Sequence, residues 1–156
     1  MLAPEIQVSP ANPYDYSTTA IALDPTDPTI LYASANNASS PHVVGFVSGD
    51  DGASWGLTLP PRADSGPTAG TFFPSAVFDA RGELYQTYMS YAISGGQLHS
   101  QIVVARSTNK GETWEHAVVI EPPGSVPERP SITVDHGSGR FHNRLYVAYN
   151  TNPSAD

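Results

Sequence analysis

Two eight-residue segments of this chain follow one pattern, S-x-[DN]-x-G-x-[ST]-W. The first covers residues 48–55, and the second covers residues 107–114, 59 positions further on. Self-similarity over such a distance is the sequence signature of a repeat architecture. The repeat therefore limits the possible folds more than any single residue does.

Each segment has the composition of a tight hairpin turn. The Asp or Asn can accept hydrogen bonds from backbone N–H groups about two residues on, the serine hydroxyl can cap other loop groups, and the glycine permits a positive φ. The tryptophan is expected to pack as an apolar lid on the outgoing strand. Every element serves folding, so we assign a structural role to these residues: Ser48, Asp50, Gly52, Trp55, Ser107, Asn109, Gly111 and Trp114.

A second pattern precedes each turn. A short β-branched run ends in Asp24, Asp79 or Asp135, which are spaced by 55 and 56 residues, and a Leu-Tyr strand follows each time. Strand-length runs rich in Val, Ile, Tyr, Phe and Thr, bounded by Gly, Pro, Asn and Asp, predict an all-β fold with little or no helix. The apolar run at 101–105 does not alternate, which predicts a strand covered on both faces. Four strands per unit, arranged radially, are the blades of a β-propeller.

These units resemble the Asp-box (BNR-repeat) propellers of the sialidase superfamily, in which the box joins the third and fourth strands of a blade. The fold class implied is a β-propeller segment of four-stranded antiparallel blades with Asp-box hairpins. We expect residues 1–18 to hold a linker and a strand, at 5–9, from a preceding blade. One blade is expected at 19–60, a second at 72–120 and half of a third at 128–150.

Composition restricts the partners. The chain has 156 residues and a net charge of −8, and its seven basic side chains form no cluster, which disfavours nucleic acid. No apolar run is long enough to span a bilayer. No cysteine is present, no secretory signal is visible at residues 1–5, and we predict no metal site or cofactor. Two and a half blades do not close a ring, so we expect a piece of a longer protein or self-association.

The resemblance also implies a chemistry. In sialidases an arginine triad clamps the substrate carboxylate, a glutamate activates a tyrosine nucleophile, and a loop aspartate is the acid/base. One arginine belongs to an R-I-P motif, but here Phe72 and Glu128 stand at its position, with Arg129 one residue late. A shift of one residue along a strand turns the side chain to the other face of the sheet, so Arg129 is only a weak candidate for an arginine that binds the substrate carboxylate. The alternative is a loop arginine paired with Glu128 or with solvent.

Two further residues are weak candidates for acid/base or anion contact. Arg62 and Asp64 lie in the connection between the first two blades, and such connections can reach the central funnel. Tyr32, Tyr85 and Tyr146 recur at one repeat position, which favours packing over catalysis.

Three functions remain open. The first is that the chain is part of a secreted or cell-surface sialidase-like glycoside hydrolase whose catalytic residues lie mostly elsewhere. The second is that it belongs to a non-catalytic propeller that binds glycan or protein through its loops. The third is that it is a structural repeat piece that completes a ring by self-association. Because the site is incomplete, we expect the chain alone to be inactive.

Overall fold

The protein is described here by a computed structural model that covers residues 5–9, 16–40, 42–62, 66–67, 69–115 and 117–153. The described residues contain strands and turns and no helix, so none of them forms a helix able to cross a membrane. The strands are β1 (Tyr16–Leu23), β2 (Leu31–Asn37), β3 (His42–Ser48), β4 (Gly56–Thr58), β5 (Gly70–Phe78), β6 (Leu84–Ser94), β7 (Gln97–Ser107), β8 (Val118–Ile120), β9 (Ser125–Val134) and β10 (Leu145–Pro153).

Consecutive strands pair antiparallel in three sheets. Sheet 1 has the order β1-β2-β3-β4, sheet 2 has β5-β6-β7-β8, and sheet 3 is the hairpin β9-β10. Sheet 2 lies between the other two, and strand β7 is accordingly buried on both faces from Ser100 to Val103. The prediction of an all-β fold with four-stranded antiparallel sheets is confirmed.

The core between sheets 1 and 2 is apolar and consists of two clusters, both of which pack against Trp114. One cluster joins Tyr32 of sheet 1 to Phe78 and Leu84 of sheet 2, and a second joins Val43 to Tyr88. All five side chains are nearly inaccessible to water, so this interface supplies much of the hydrophobic stabilisation.

The first repeat turn (residues 48–55) is closed by side chains that bond back into the loop. The Ser48 hydroxyl donates to Asp50 Oδ1 at 2.8 Å and accepts the Gly52 N–H at 2.9 Å. Asp50 also accepts the Ser54 N–H at 2.8 Å and the Ser54 hydroxyl at 2.6 Å, and these bonds lower the pKa of Asp50. Gly52 has a φ of 83°, a region that glycine enters without steric cost. The backbone N–H that bonds to the Asp50 carboxylate therefore belongs to the residue four positions later, whereas the sequence predicts a donor about two positions later.

The second repeat turn (residues 107–114) is closed in the same way. The Ser107 hydroxyl donates to Asn109 Oδ1 at 2.9 Å and accepts the Gly111 N–H at 2.8 Å. Asn109 Oδ1 accepts the Thr113 N–H at 2.9 Å, whereas its amide donates to the Thr113 hydroxyl. In the first turn the Ser54 hydroxyl donates to Asp50, whereas here Asn109 donates to the Thr113 hydroxyl, because the asparagine amide is a donor and the aspartate carboxylate can only accept.

The two tryptophans differ in their hydrogen-bond partners. The Trp55 indole N–H donates to a carbonyl of its own turn at 3.0 Å. The Trp114 indole instead donates to the Thr58 hydroxyl of β4 at 3.1 Å, and that hydroxyl donates to the Gly111 carbonyl at 2.5 Å. Trp114 also packs edge-on against the Tyr32 ring, with centroids 5.8 Å apart. The turns are equivalent, but only the second tryptophan fastens its sheet to the preceding one.

The repeated aspartates are anchors between sheets. Asp24 is buried, and its carboxylate binds Lys110 from the second repeat turn. Asp79 is equally buried and accepts the Asn143 amide of the next sheet at 2.7 Å, while Asn143 Oδ1 accepts the Ala80 N–H at 2.8 Å. Sheets 2 and 3 therefore each reach back to the repeated aspartate of the preceding sheet, Asp24 and Asp79 respectively.

The amino-terminal segment differs from the sequence expectation. Residues 5–9, for which the sequence predicts a strand, run without regular strand pairing, and residues 7–9 line a cavity with Phe46 and Trp55. Strand β1 begins at Tyr16, inside the range that was expected to be linker.

Candidate functional site

The first strand of every sheet carries a bulge at the same repeat position. Thr18, Phe73 and Arg129 have φ values of 50°, 59° and 51°, and the register of each strand pair shifts beside them. Positive φ is uncommon for such residues, and a bulge re-aims the side chain that it carries. The bulge itself recurs in all three sheets and is part of the repeat, but in sheet 3 the residue that it re-aims is a charged one, Arg129.

Arg129 therefore lies inside strand β9 rather than in a loop, and its side chain faces solvent, the second of the two partners expected for it, and does not pair with Glu128. Its guanidinium carbon lies 4.6 Å from the centroid of the Phe73 ring. Glu128 instead accepts the Asn152 amide at 2.9 Å, and Arg129 has no carboxylate partner among the described residues. Its exposed donors are free to hold a carboxylate in two parallel bonds.

Aromatic rings extend this site along sheet 2. Phe72 lies 6.0 Å from Phe73 and 5.5 Å from Tyr91, measured between ring centroids. The Phe73 N–H donates to Asn36 Oδ1 at 3.0 Å, which ties the bulge to sheet 1. We call Tyr91, Phe72, Phe73 and Arg129 the aromatic–arginine strip. The strip places one exposed guanidinium beside three half-buried aromatic rings.

The structure places Arg62 elsewhere, at a cavity of about 350 Å³ between sheets 1 and 2 that Arg129 does not line. His42 lies there with Nδ1 buried and unpartnered, and burial and then Arg62 lower its pKa. The Tyr88 hydroxyl donates to the Pro61 carbonyl, and burial raises the pKa of Tyr88. Asp64 lies outside the described residues. The cavity offers one exposed cation and a neutral imidazole.

A tyrosine–glutamate pair occurs where the sequence analysis assigned packing alone. The Tyr85 hydroxyl donates to Glu83 Oε2 at 2.9 Å. The same carboxylate binds Arg106 at 2.8 Å and Arg81 at 3.4 Å. Burial and the Glu83 carboxylate raise the pKa of Tyr85, which opposes formation of a phenolate nucleophile. This network stabilises the end of sheet 2 that carries the second repeat turn.

Groups able to hold a metal are absent from the described residues, where no three His, Asp or Glu side chains converge. Tyr32 is fully buried and donates to Gln86, in agreement with a packing role, whereas Tyr146 is half exposed on sheet 3.

The fold is similar to the solved structure of Hadza microbial sialidase Hz136. The TM-score is 0.57 at 15% sequence identity, and the match covers 75% of this chain and 28% of that chain. At this identity the similarity concerns the fold. No protein-family model matches the sequence, and no curated protein matches it.

These observations define the fold class of the chain. The chain is an all-β, propeller-like assembly of four-stranded antiparallel blades with a sialidase-like fold. It spans little more than a quarter of the length of that sialidase.

Proposed function

We propose that this chain is part of a sialidase-like Asp-box propeller that binds a glycan and lacks a complete catalytic centre of its own. The observation that carries the proposal is the guanidinium of Arg129 over the Phe73 ring at a strained bulge. An exposed cation beside three aromatic rings suits a carboxylated sugar, whose carboxylate meets the arginine and whose apolar face meets the rings.

The incomplete centre follows from the resemblance and the local chemistry. Phe72 and Glu128 occupy the positions at which the sialidase motif has arginine. Of the other described arginines, Arg81 and Arg106 are committed to ion pairs with carboxylates. Arg62 lies at a different cavity, and Arg140 and Arg144 stack on Phe141, so among the described residues Arg129 is the one arginine of the strip. One guanidinium at that place supports binding, whereas a triad is needed to fix the substrate for glycosidic cleavage. An extracellular or cell-surface location is part of this proposal.

Two measurements test the proposal. A fluorogenic sialoside should show no turnover with this chain, and saturation-transfer NMR with sialyllactose should show contact with the aromatic protons of the strip. Arg129→Ala should abolish that transfer, whereas Arg81→Ala, which removes an exposed and ion-paired arginine, should leave it unchanged. Turnover would refute the incomplete centre, and transfer that is insensitive to Arg129 would refute the site.

A second candidate is binding of a protein or self-association through sheet 1. On its outer face, Ile21, Leu23 and Leu57 have exposed fractions of 66%, 55% and 62%. Large apolar side chains grouped on a surface favour burial against another protein surface. Charge opposes a second copy in that place. Within the chain, Lys110 of sheet 2 binds Asp24 of sheet 1. If sheet 3 of a second copy covered sheet 1 in the same arrangement, Asp51, which stands at the repeat position of Lys110, would face Asp135 of that copy, and two carboxylates would meet. Light scattering of the purified chain separates the cases, because a folded monomer excludes self-association.

A further inference from the structure

The loop between β9 and β10 is five residues longer than its counterpart in sheet 2. Ten positions separate Asp135 from Leu145, whereas five separate Asp79 from Leu84. Asn143 fastens the loop to sheet 2 through its bonds to Asp79 and Ala80. Residues 136–142 of the loop are all exposed.

Two arginines in this loop stack on one phenylalanine. The guanidinium carbons of Arg140 and Arg144 each lie 4.4 Å from the centroid of the Phe141 ring. The ring itself is 36% exposed, so cation–π contact holds both charges beside an accessible apolar surface. We call Arg140, Phe141 and Arg144 the arginine–phenylalanine loop.

Neither arginine is neutralised within the described residues, where no carboxylate lies within ion-pair distance of them. In the counterpart loop of sheet 2, between β5 and β6, the arginine is neutralised by carboxylates. Arg81 there binds Asp79 at 3.2 Å and Glu83 at 3.4 Å. The longer loop therefore presents uncompensated positive charge on a chain whose net charge is −8.

We propose that the arginine–phenylalanine loop binds an acidic segment of a partner protein, with carboxylates on the two guanidinium groups and an apolar side chain on Phe141. Guanidinium groups bind carboxylates in bidentate geometry, and exposed arginine and aromatic residues are the types that dominate protein interfaces. A long sulfated polymer fits less well, because it would extend from the loop over a surface of its own sign.

The test is fluorescence anisotropy with a short labelled peptide in which glutamates flank single leucines. A peptide with lysine in place of glutamate is the ligand control. Arg140→Gln with Arg144→Gln should weaken binding by about tenfold or more, as expected for lost charged hydrogen bonds. Phe141→Ala should weaken it several-fold, whereas Arg81→Gln, the paired arginine of the counterpart loop, should leave it unchanged.

Several outcomes would overturn the proposal. They are absence of peptide binding by the unaltered chain, equal binding by the double variant, and equal binding of the lysine peptide. Binding of a heparin-derived oligosaccharide that depends on Arg140 and Arg144, without binding of the peptide, would assign the loop to a different partner class. Unchanged tryptophan emission confirms that each variant is folded.

Discussion

Replacing Thr58 by valine isolates the bond that links sheets 1 and 2. Valine keeps the volume of threonine, so no cavity forms, but the hydroxyl that accepts from Trp114 and donates to Gly111 is lost. Thr58 is 8% exposed, so both partners lose their protein hydrogen bond where water has little access. An unsatisfied buried group costs about 1–3 kcal/mol, and the half-buried indole recovers part of this from water. We expect a loss of about 2–3 kcal/mol in the free energy of unfolding.

Urea denaturation followed by tryptophan emission measures this loss. With a denaturant slope of about 1–3 kcal/mol per molar, the midpoint should fall by roughly 1 M or more. Thr58→Ser is the matched control, because it keeps the hydroxyl and removes one methyl group, at a cost of about 1 kcal/mol. If Thr58→Val costs less than Thr58→Ser, the hydroxyl does not link the sheets and the reasoning is refuted.

Two other perturbations have defined outcomes. A Cβ at Gly45 would lie 2.8 Å from ring atoms of Tyr32, so Gly45→Ala should cost about 1–3 kcal/mol by overpacking, whereas Gly49→Ala, with open space around it, should be nearly neutral in the same denaturation assay. Burial raises the pKa of Asp24, but hydrogen bonds from Lys110 and Thr26 outweigh it and the net pKa is lowered. Its contribution to stability is therefore present above the unfolded pKa of about 3.9 and is lost as pH falls through the lower folded value. Urea midpoints measured from pH 6 to pH 2 should fall in that acid range, and less steeply in Asp24→Asn; identical slopes would contradict the anchor.

The sequence predicted the elements whose causes are local. The repeat turns depend on Ser48, Asp50 and Gly52, which lie within five residues of one another, and the turn closes as those residue types require. The strands follow from β-branched runs between turn residues.

Features that depend on distant residues were not predicted. The partner of Trp114 is Thr58, 56 positions away, and nothing in the turn specifies that hydroxyl. The bulge at Arg129 depends on the register of β9 against β10, so the sequence alone indicated a loop. The Tyr85–Glu83 bond could have been predicted, because Glu83 directly precedes β6 and residues two apart point to the same side of an extended segment.

The Trp114–Thr58 bond is a contact by which the second repeat turn fastens sheet 2 to sheet 1. The most direct measurement is a nuclear Overhauser experiment on the two indole N–H protons. We expect a strong cross-peak from Trp114 Hε1 to the Thr58 methyl group, since Trp114 Nε1 and the Thr58 hydroxyl oxygen are 3.1 Å apart, and none from Trp55 Hε1 to that methyl group. Absence of the Trp114 cross-peak, with both indole protons exchanging with water at equal rates, would contradict it.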